Sequence, residues 1–461
     1  MQPSPPTSDP VSGFACVRCG AGLDASPGEW RCQGCATRYP VLGGLPWLFR
    51  DPADALSGWR LRCDALRVQL RERAAALGSA ATASGARPLT RQRLSHLAAA
   101  FADQADRLER LLRPLGLVAT LPRGETLQAL GTPLPLEQGL VTYSVNLHRD
   151  WCWGDAENAA QIGEVHAALG EAPAPGPGRT LVLGAGAGRL AFDLARAWPD
   201  ADVVATDVSP LLLAVAQEML AGRSLELYEF PIAPRGLLDG AVLRTLQAPE
   251  ALRSGLRLVL ADALDAPFAA GAWDTVVTPW FVDVIGEPLV TLGSRINAWL
   301  RPGGRWINTG SLAFNLPDAV DQLGVEEAVA AVATAGFDVD PPREARLPYM
   351  QSPASRHARL ETVVTWCATK VRDSDVPPPR ALPAWLRDPR LPVPRSAALE
   401  FQQVTSRIHA FLLALVNGER SIADMARAVV EQKLLPPDEA EAAVRRFLRR
   451  ETERTQRRSV F

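Results

Sequence analysis

The stretch from Arg179 to Pro210, RTLVLGAGAGRLAFDLARAWPDADVVATDVSP, decides the fold. Its apolar run, Leu181 to Leu183, is short and well bounded, as a strand buried in a parallel sheet is. Gly184, Gly186 and Gly188 follow at alternate positions. Helical spacing runs from Leu190 to Trp198, and a second strand from Val203 to Thr206 ends on Asp207. Glycines at a strand-to-helix turn let backbone approach a ligand, and the helix start presents free N–H groups to it. Asp207 stands 19 residues past Gly188, where the second strand of a nucleotide-binding βαβ unit offers an acid to ribose hydroxyls. Glycines that only made tight turns would not need an acid at that spacing. The pattern predicts an α/β, Rossmann-like sheet with a nucleoside ligand at the carboxyl ends of its strands.

The dinucleotide fingerprint requires a small residue where Arg189 stands, because helix and strand pack closely there. The G-x-G-x-G form is the one methyltransferases use for S-adenosylmethionine (SAM), which has a ribose but no pyrophosphate. The expected fold class is therefore a class I SAM-methyltransferase sheet.

The chain of 461 residues has a formal net charge of −2, which gives no global pull toward nucleic acid or membrane. Lysine occurs only at Lys370 and Lys433, so 47 of the 49 basic residues are arginine, a bias that points to a GC-rich genome and not to a function. The start, MQPSPPTSDP, has neither a basic nor an apolar stretch of signal-peptide type. No apolar run approaches the roughly 18 residues of a membrane span, so a cytoplasmic protein is expected.

After a Pro/Ser-rich tail, residues 1–13, expected to be disordered, two C-x-x-C knuckles appear. Cys16, Cys19, Cys32 and Cys35 are split by a twelve-residue spacer, the spacing of a zinc ribbon over residues 14–50. Four thiolates close a tetrahedral shell and leave no position open for chemistry, so the expected Zn²⁺ is structural. Two disulfides are the competing arrangement, disfavoured in a reducing compartment. The four cysteines with Arg38-Tyr39-Pro40-Val41 and Gly44-Leu45-Pro46 resemble the small zinc-ribbon family that activates tRNA- and protein-modifying methyltransferases. Arg18, Arg31 and Arg38 form no basic run, which argues against a nucleic-acid role.

Residues 56–77 and 90–115 carry helical periodicity, with GSAATASGARP between them read as a loop. They predict a helical cap within residues 51–130. A methyltransferase domain is expected over 131–372. It starts with Asn146-Leu-His148-Arg149-Asp150-Trp151 and a helix from about Ala156 to Leu169. The R-D-W segment, GAGAGRLA, a distal W-D-x-x-V-T-x-x-F-x-D and P-G-G-x-W-I-N-x-G together resemble the carnosine N-methyltransferase family over roughly residues 140–372. The resemblance implies that Arg149 and Asn146 contact the cofactor, with Asn146 where the family usually has Gln. It implies that Asp283 holds an imidazole-bearing acceptor near the methyl group. His148 is read as a bystander.

The remaining cofactor positions follow the sheet. A third strand, Leu256 to Ala261, leads to Asp262 and Ala263, where the carboxylate is placed to accept the adenine amino group. A fourth, Thr275 to Thr278, leads to Pro279, Trp280, Phe281 and Asp283. Strands from Trp306 to Thr309 and from Thr362 to Thr369 complete the sheet, and the insertion between Gly222 and Gly255 is expected to roof the pocket. Departures from the family concentrate on the acceptor side. Asn315 replaces a histidine, and the family's C-terminal tyrosines, which line its peptide site, fall near Arg359 and Leu360.

A proline-rich linker, residues 373–398, precedes three helical patterns over 399–461. They resemble small winged-helix modules that recognise peptides, and a peptide or protein partner is one expectation for them. A three-helix dimerisation or packing tail is the other. The whole reads as a SAM-dependent methyltransferase acting on nitrogen of a small molecule or peptide with a histidine-like group. An RNA or tRNA methyltransferase, and a catalytically silent SAM-fold protein that binds partners, are the alternatives. Against nucleic acid stand the net charge and the absence of interleaved basic and aromatic residues.

Overall fold

The computed structural model describes residues 9–118, 144–170, 176–252, 255–314, 316, 318–375 and 390–458. They form two compact units, one within residues 1–380 and one within 381–461. The first unit begins with four short strands, β1 (Leu23–Ser26), β2 (Glu29–Cys32), β3 (Arg38–Leu42) and β4 (Leu45–Leu48). Two long helices follow, α1 (Pro52–Thr82) and α2 (Pro88–Leu112).

The methyltransferase region then runs α3 (Ser144–His148), continued by a π-helical turn over Arg149–Trp153, α4 (Asp155–Leu169), β5 (Arg179–Leu183), α5 (Arg189–Ala197), β6 (Asp202–Asp207) and α6 (Pro210–Leu220). A hairpin of β7 (Leu225–Glu229) and β8 (Val242–Leu246) precedes β9 (Leu256–Ala261), β10 (Trp273–Pro279), α7 (Leu289–Trp299) and β11 (Leu300–Gly310). The unit closes with α8 (Val325–Thr334), β12 (Phe337–Val339), β13 (Arg343–Tyr349) and β14 (Arg359–Lys370).

Twelve of these strands make one sheet, in the order β1-β2-β3-β4-β9-β6-β5-β10-β11-β14-β12, with β13 also on β14. Pairing is parallel from β4 through β11 and antiparallel at both ends. Successive side chains alternate across the sheet. Val182, Ala205 and Leu260 accordingly join one core with α1, α2, α5 and α6. Leu181, Leu183, Val204 and Val259 join another with α7, α8 and the N-terminal strands. Both faces are covered by helices or ribbon, which is why the central strands read as continuous apolar runs.

The cysteine-bearing segment does not stand apart. Trp47 and Leu48 of β4 pair with Leu260 and Ala261 of β9, and Phe14, Trp30, Tyr39 and Leu48 are buried in the core that includes Trp273. Residues 9–13, expected in a disordered tail, are tied down as well. Arg257 donates to the Pro10 carbonyl at 2.9 Å, and the Ala269 amide donates to the Gly13 carbonyl at 3.0 Å.

Two expectations need correction. The expected loop after residue 77 is helical through Thr82, because alanines at 80 and 81 offset the weak helix formers Gly78 and Ser79. The insertion between Gly222 and Gly255 does not roof the pocket. Phe230 stacks on Phe101 of α2, ring centroids 4.2 Å apart, so its aromatic residues are spent on the helical cap. The second unit consists of α9 (Ala397–Ala414), α10 (Ile422–Glu431) and α11 (Pro437–Arg458) around Leu415, Met425, Val429 and Val444. Ser421 and Asp424 form a capping box at the start of α10. Among the described residues of this unit there is no strand. No helix among the described residues is long and apolar enough to cross a membrane.

Candidate active site

The five parallel strands β9, β6, β5, β10 and β11 deliver their carboxyl ends to one rim, where ligands of open α/β sheets bind. The glycine turn after β5 sits there with Gly184, Gly186 and Gly188 at φ of +59°, +58° and +85°. At Gly184 the requirement is also steric, since a Cβ would lie 2.4 Å from the Phe281 ring. Asp207, at the end of β6, pins this turn. Its Oδ2 accepts from the Gly186 amide at 2.9 Å and its Oδ1 from the Ser209 amide at 2.8 Å. Burial pushes the Asp207 carboxyl up to about 6, against the lowering effect of these amide donors.

The R-D-W segment clasps the same turn from below. Trp151 donates its Nε1–H to the Ala187 carbonyl at 2.9 Å. Arg149 pairs with Asp150 at 2.7 Å, and Glu157 lies 3.6 Å from its Nε. Burial pushes Glu157 up to about 7, and the same carboxylate accepts the Met350 amide at 2.9 Å. His148 is buried away from the cavity with Nε2 3.2 Å from the Tyr228 carbonyl, and burial pushes it down to about 4, so it is neutral.

On the other flank, Asp262 accepts the Leu264 amide at 2.9 Å and starts a short 3₁₀ turn, Ala263–Asp265. After β10 the backbone turns at Trp280 with φ of +50°. This conformation is held by the Trp280 amide on the Thr309 carbonyl at 2.8 Å. Gly310 makes room for it, because a Cβ there would come within 2.9 Å of the Trp280 Cα. The turn aims Asp283 back at the rim. Its Oδ2 accepts the Ser311 hydroxyl at 2.8 Å and the Ala313 amide at 3.0 Å. Burial raises its carboxyl above the usual range and the two donors oppose this.

These groups surround one cavity of about 630 Å³. Of the residues expected there, Asn146, Arg149, Gly184, Gly186, Asp207, Asp262, Ala263, Pro279 and Asp283 line it. Gly188 does not; it serves as the N-cap position of α5. Asn315 lies outside the described residues. Sequence reasoning missed Trp59, Ser311, Tyr349 and Glu361, all on the cavity wall. Arg359, which it noted only as a departure, also lines the wall. Its guanidinium lies 4.7 Å from the centre of the Tyr349 ring and 3.2 Å from Glu361. Trp280 and Tyr349 are neighbours, ring centroids 4.7 Å apart.

Away from the cavity, the Sγ atoms of Cys16, Cys19, Cys32 and Cys35 lie within 4.8 Å of one another. The Cys16–Cys35 and Cys19–Cys32 separations are 3.6 and 3.4 Å. A tetrahedral site with Zn–S near 2.3 Å has sulfur–sulfur edges of about 3.8 Å, so the donor set fits. Cys32 Sγ also accepts the Gly34 and Cys35 amides at 3.2 and 3.3 Å, as a knuckle thiolate does.

The search of curated proteins returned no significant match. Solved structures similar to this chain include Haemonchus contortus phosphoethanolamine N-methyltransferase 2 in complex with SAM. That likeness is at 17% identity and TM-score 0.30, covering 48% of this chain and 53% of that one, so the chain spans about half its length. A putative SAM-dependent methyltransferase from Listeria monocytogenes is similar at 14% identity and TM-score 0.31, covering 46% and 100%. A SAM-dependent methyltransferase from Mesorhizobium loti is similar at 14% and 0.30, covering 44% and 95%. Residues 145–371 match the family described as carnosine N-methyltransferase. They hold the glycine turn, its acid and the strand rim described above, and this region of the chain is a SAM-dependent methyltransferase domain similar to that family.

Proposed function

We propose that the chain methylates a nitrogen of a small molecule or peptide bearing a histidine-like ring. The carrying observation is that Asp283, with Trp280, Phe281 and Tyr349, lines the same cavity as the glycine turn and Asp207. SAM supplies an already activated methyl group, so the protein has to position a lone pair and deal with a proton. In this reading Asp207 takes the ribose hydroxyls, Asp262 and Ala263 face the adenine, and Asn146 and Arg149 hold the amino-acid end. Asp283 accepts the acceptor's N–H and leaves the other ring nitrogen's lone pair aimed at the methyl. The aromatic walls suit a flat ring, and Arg359 and Glu361 beside Tyr349 suit a charged remainder.

A structural zinc ion on the four cysteines belongs to the same proposal, supported by their near-tetrahedral spacing. The test is incubation of the purified chain with SAM and carnosine, other histidine-containing dipeptides, free histidine and unmodified tRNA, read by mass spectrometry. Methyl gain on an imidazole or small-molecule nitrogen is expected. Methylation of tRNA alone overturns the acceptor class.

A further inference from the structure

The segment ahead of the family domain reaches the cavity at one described residue, Trp59. Topology explains how. Because β4 runs parallel to β9, it emerges at the same rim as Asp262. The chain leaving β4 is fastened there. Arg50 donates to both oxygens of Asp265, at 2.7 and 2.5 Å, and Asp265 ends the 3₁₀ turn that carries Ala263 and Leu264 on the cavity wall. Asp51 then caps α1, accepting the Asp54 amide at 3.1 Å. Two turns later Trp59 is 7% exposed. It sits in the apolar cluster that includes Leu212 of α6, a fellow cavity residue that follows Asp207 closely. The Arg62 guanidinium lies against the indole, 4.9 Å from its centre, which holds the ring in place on one side.

We propose that Trp59 is a cofactor-site residue, its indole forming an apolar wall against the adenosyl half of SAM. This rests on the reading that Asp207 and Asp262 bracket that half. A flat, polarisable ring stacked on a purine strengthens binding by about five- to a hundredfold over alanine, and an aliphatic side chain keeps its apolar area but loses the stack.

The test uses the full chain. Calorimetry measures the affinity of S-adenosylhomocysteine and of 5′-deoxy-5′-methylthioadenosine, which lacks the amino-acid end. Trp59→Leu is expected to weaken both ligands about tenfold and in equal proportion, and Trp59→Phe to stay within about threefold of wild type. Equal affinities in wild type and Trp59→Leu overturn the proposal. Loss confined to S-adenosylhomocysteine overturns it too, since the contact would then lie at the amino-acid end. Should the leucine variant not fold, Trp59→Phe decides. Its ligand-induced change in tryptophan emission must be smaller than that of wild type, and an unchanged signal overturns the assignment. Asp262→Ala separates the levels. If it weakens both ligands while Trp59→Leu does not, only the role of Trp59 fails. If it weakens neither, the adenosyl placement fails with it.

Discussion

Asp283 and Asp207 are both rim carboxylates, yet their partners differ and so do the expected consequences of changing them. The hydrogen bonds from Ser311 and Ala313 both fall on Oδ2 of Asp283, so asparagine can keep one acceptor oxygen toward them while losing the charge. Asp283→Asn is expected to lower turnover by about 10²–10⁴, the span of a positioned acid–base group. Affinity for S-adenosylhomocysteine should stay within about threefold, and the two measurements on one preparation check the assignment. Asp207 offers a pH test. Its carboxyl sits at about 6 in the folded protein without ligand and near 4 in an unfolded chain. The folded state therefore holds this proton more tightly, and its contribution to stability falls as pH rises between those values. If Asp207 takes the ribose as proposed, binding wants the carboxylate, so affinity for S-adenosylhomocysteine is expected to drop by up to about tenfold per pH unit below 6. Calorimetry between pH 5 and 8 reads this, and Asp207→Asn should flatten the profile. Asp207 was legible because a βαβ unit puts its acid at a nearly fixed distance from the glycines. Tyr349 and Glu361 were not, because they reach the cavity through the pairing of β13 with β14, and no spacing rule links that hairpin to the glycine turn.

At the level of elements, the strands read well because each central one is an apolar run ending on a rim residue. The third came out with its observed bounds, Leu256–Ala261. The β7–β8 hairpin read poorly. Tyr228 and Phe230 look like pocket aromatics in one dimension, and only the stack on Phe101 shows where they go. The ribbon was legible as a metal-type knuckle pair, but its fusion to the sheet was not. That fusion predicts a coupling between the two. Arg18, inside the first knuckle, donates to the Arg50 carbonyl at 2.7 Å, and Arg50 grips Asp265. Arg50→Ala should leave metal content unchanged and weaken S-adenosylhomocysteine binding by about two- to fivefold, the scale of a partly exposed ion pair. Metal analysis should find about one zinc per chain in wild type and less in Cys32→Ser, with a lower melting temperature. Absence of metal, or two disulfides, would refute that assignment.

For the whole molecule, two compact units, one built on the two cores of the large sheet and one on its own core around Leu415, Met425 and Val429, predict two independent unfolding events. Calorimetry should show two transitions, with only the larger unit's midpoint raised by S-adenosylhomocysteine. A single transition shifted as one would refute this. The composition had suggested the division through the proline-rich stretch, though the fold of the second unit needed its described helices. The pairing of β4 on β9 has a last consequence. Without the N-terminal strands, β9 would be the sheet's outermost strand. Its backbone at Leu260 and Ala261, which β4 now pairs, would face water with unused hydrogen-bonding groups. Such an edge invites other chains to add themselves. The ribbon therefore works as a selvedge that stops the fabric from being extended. A chain begun at residue 51 should be found in aggregates on size-exclusion chromatography, whatever the fate of its methyltransferase residues.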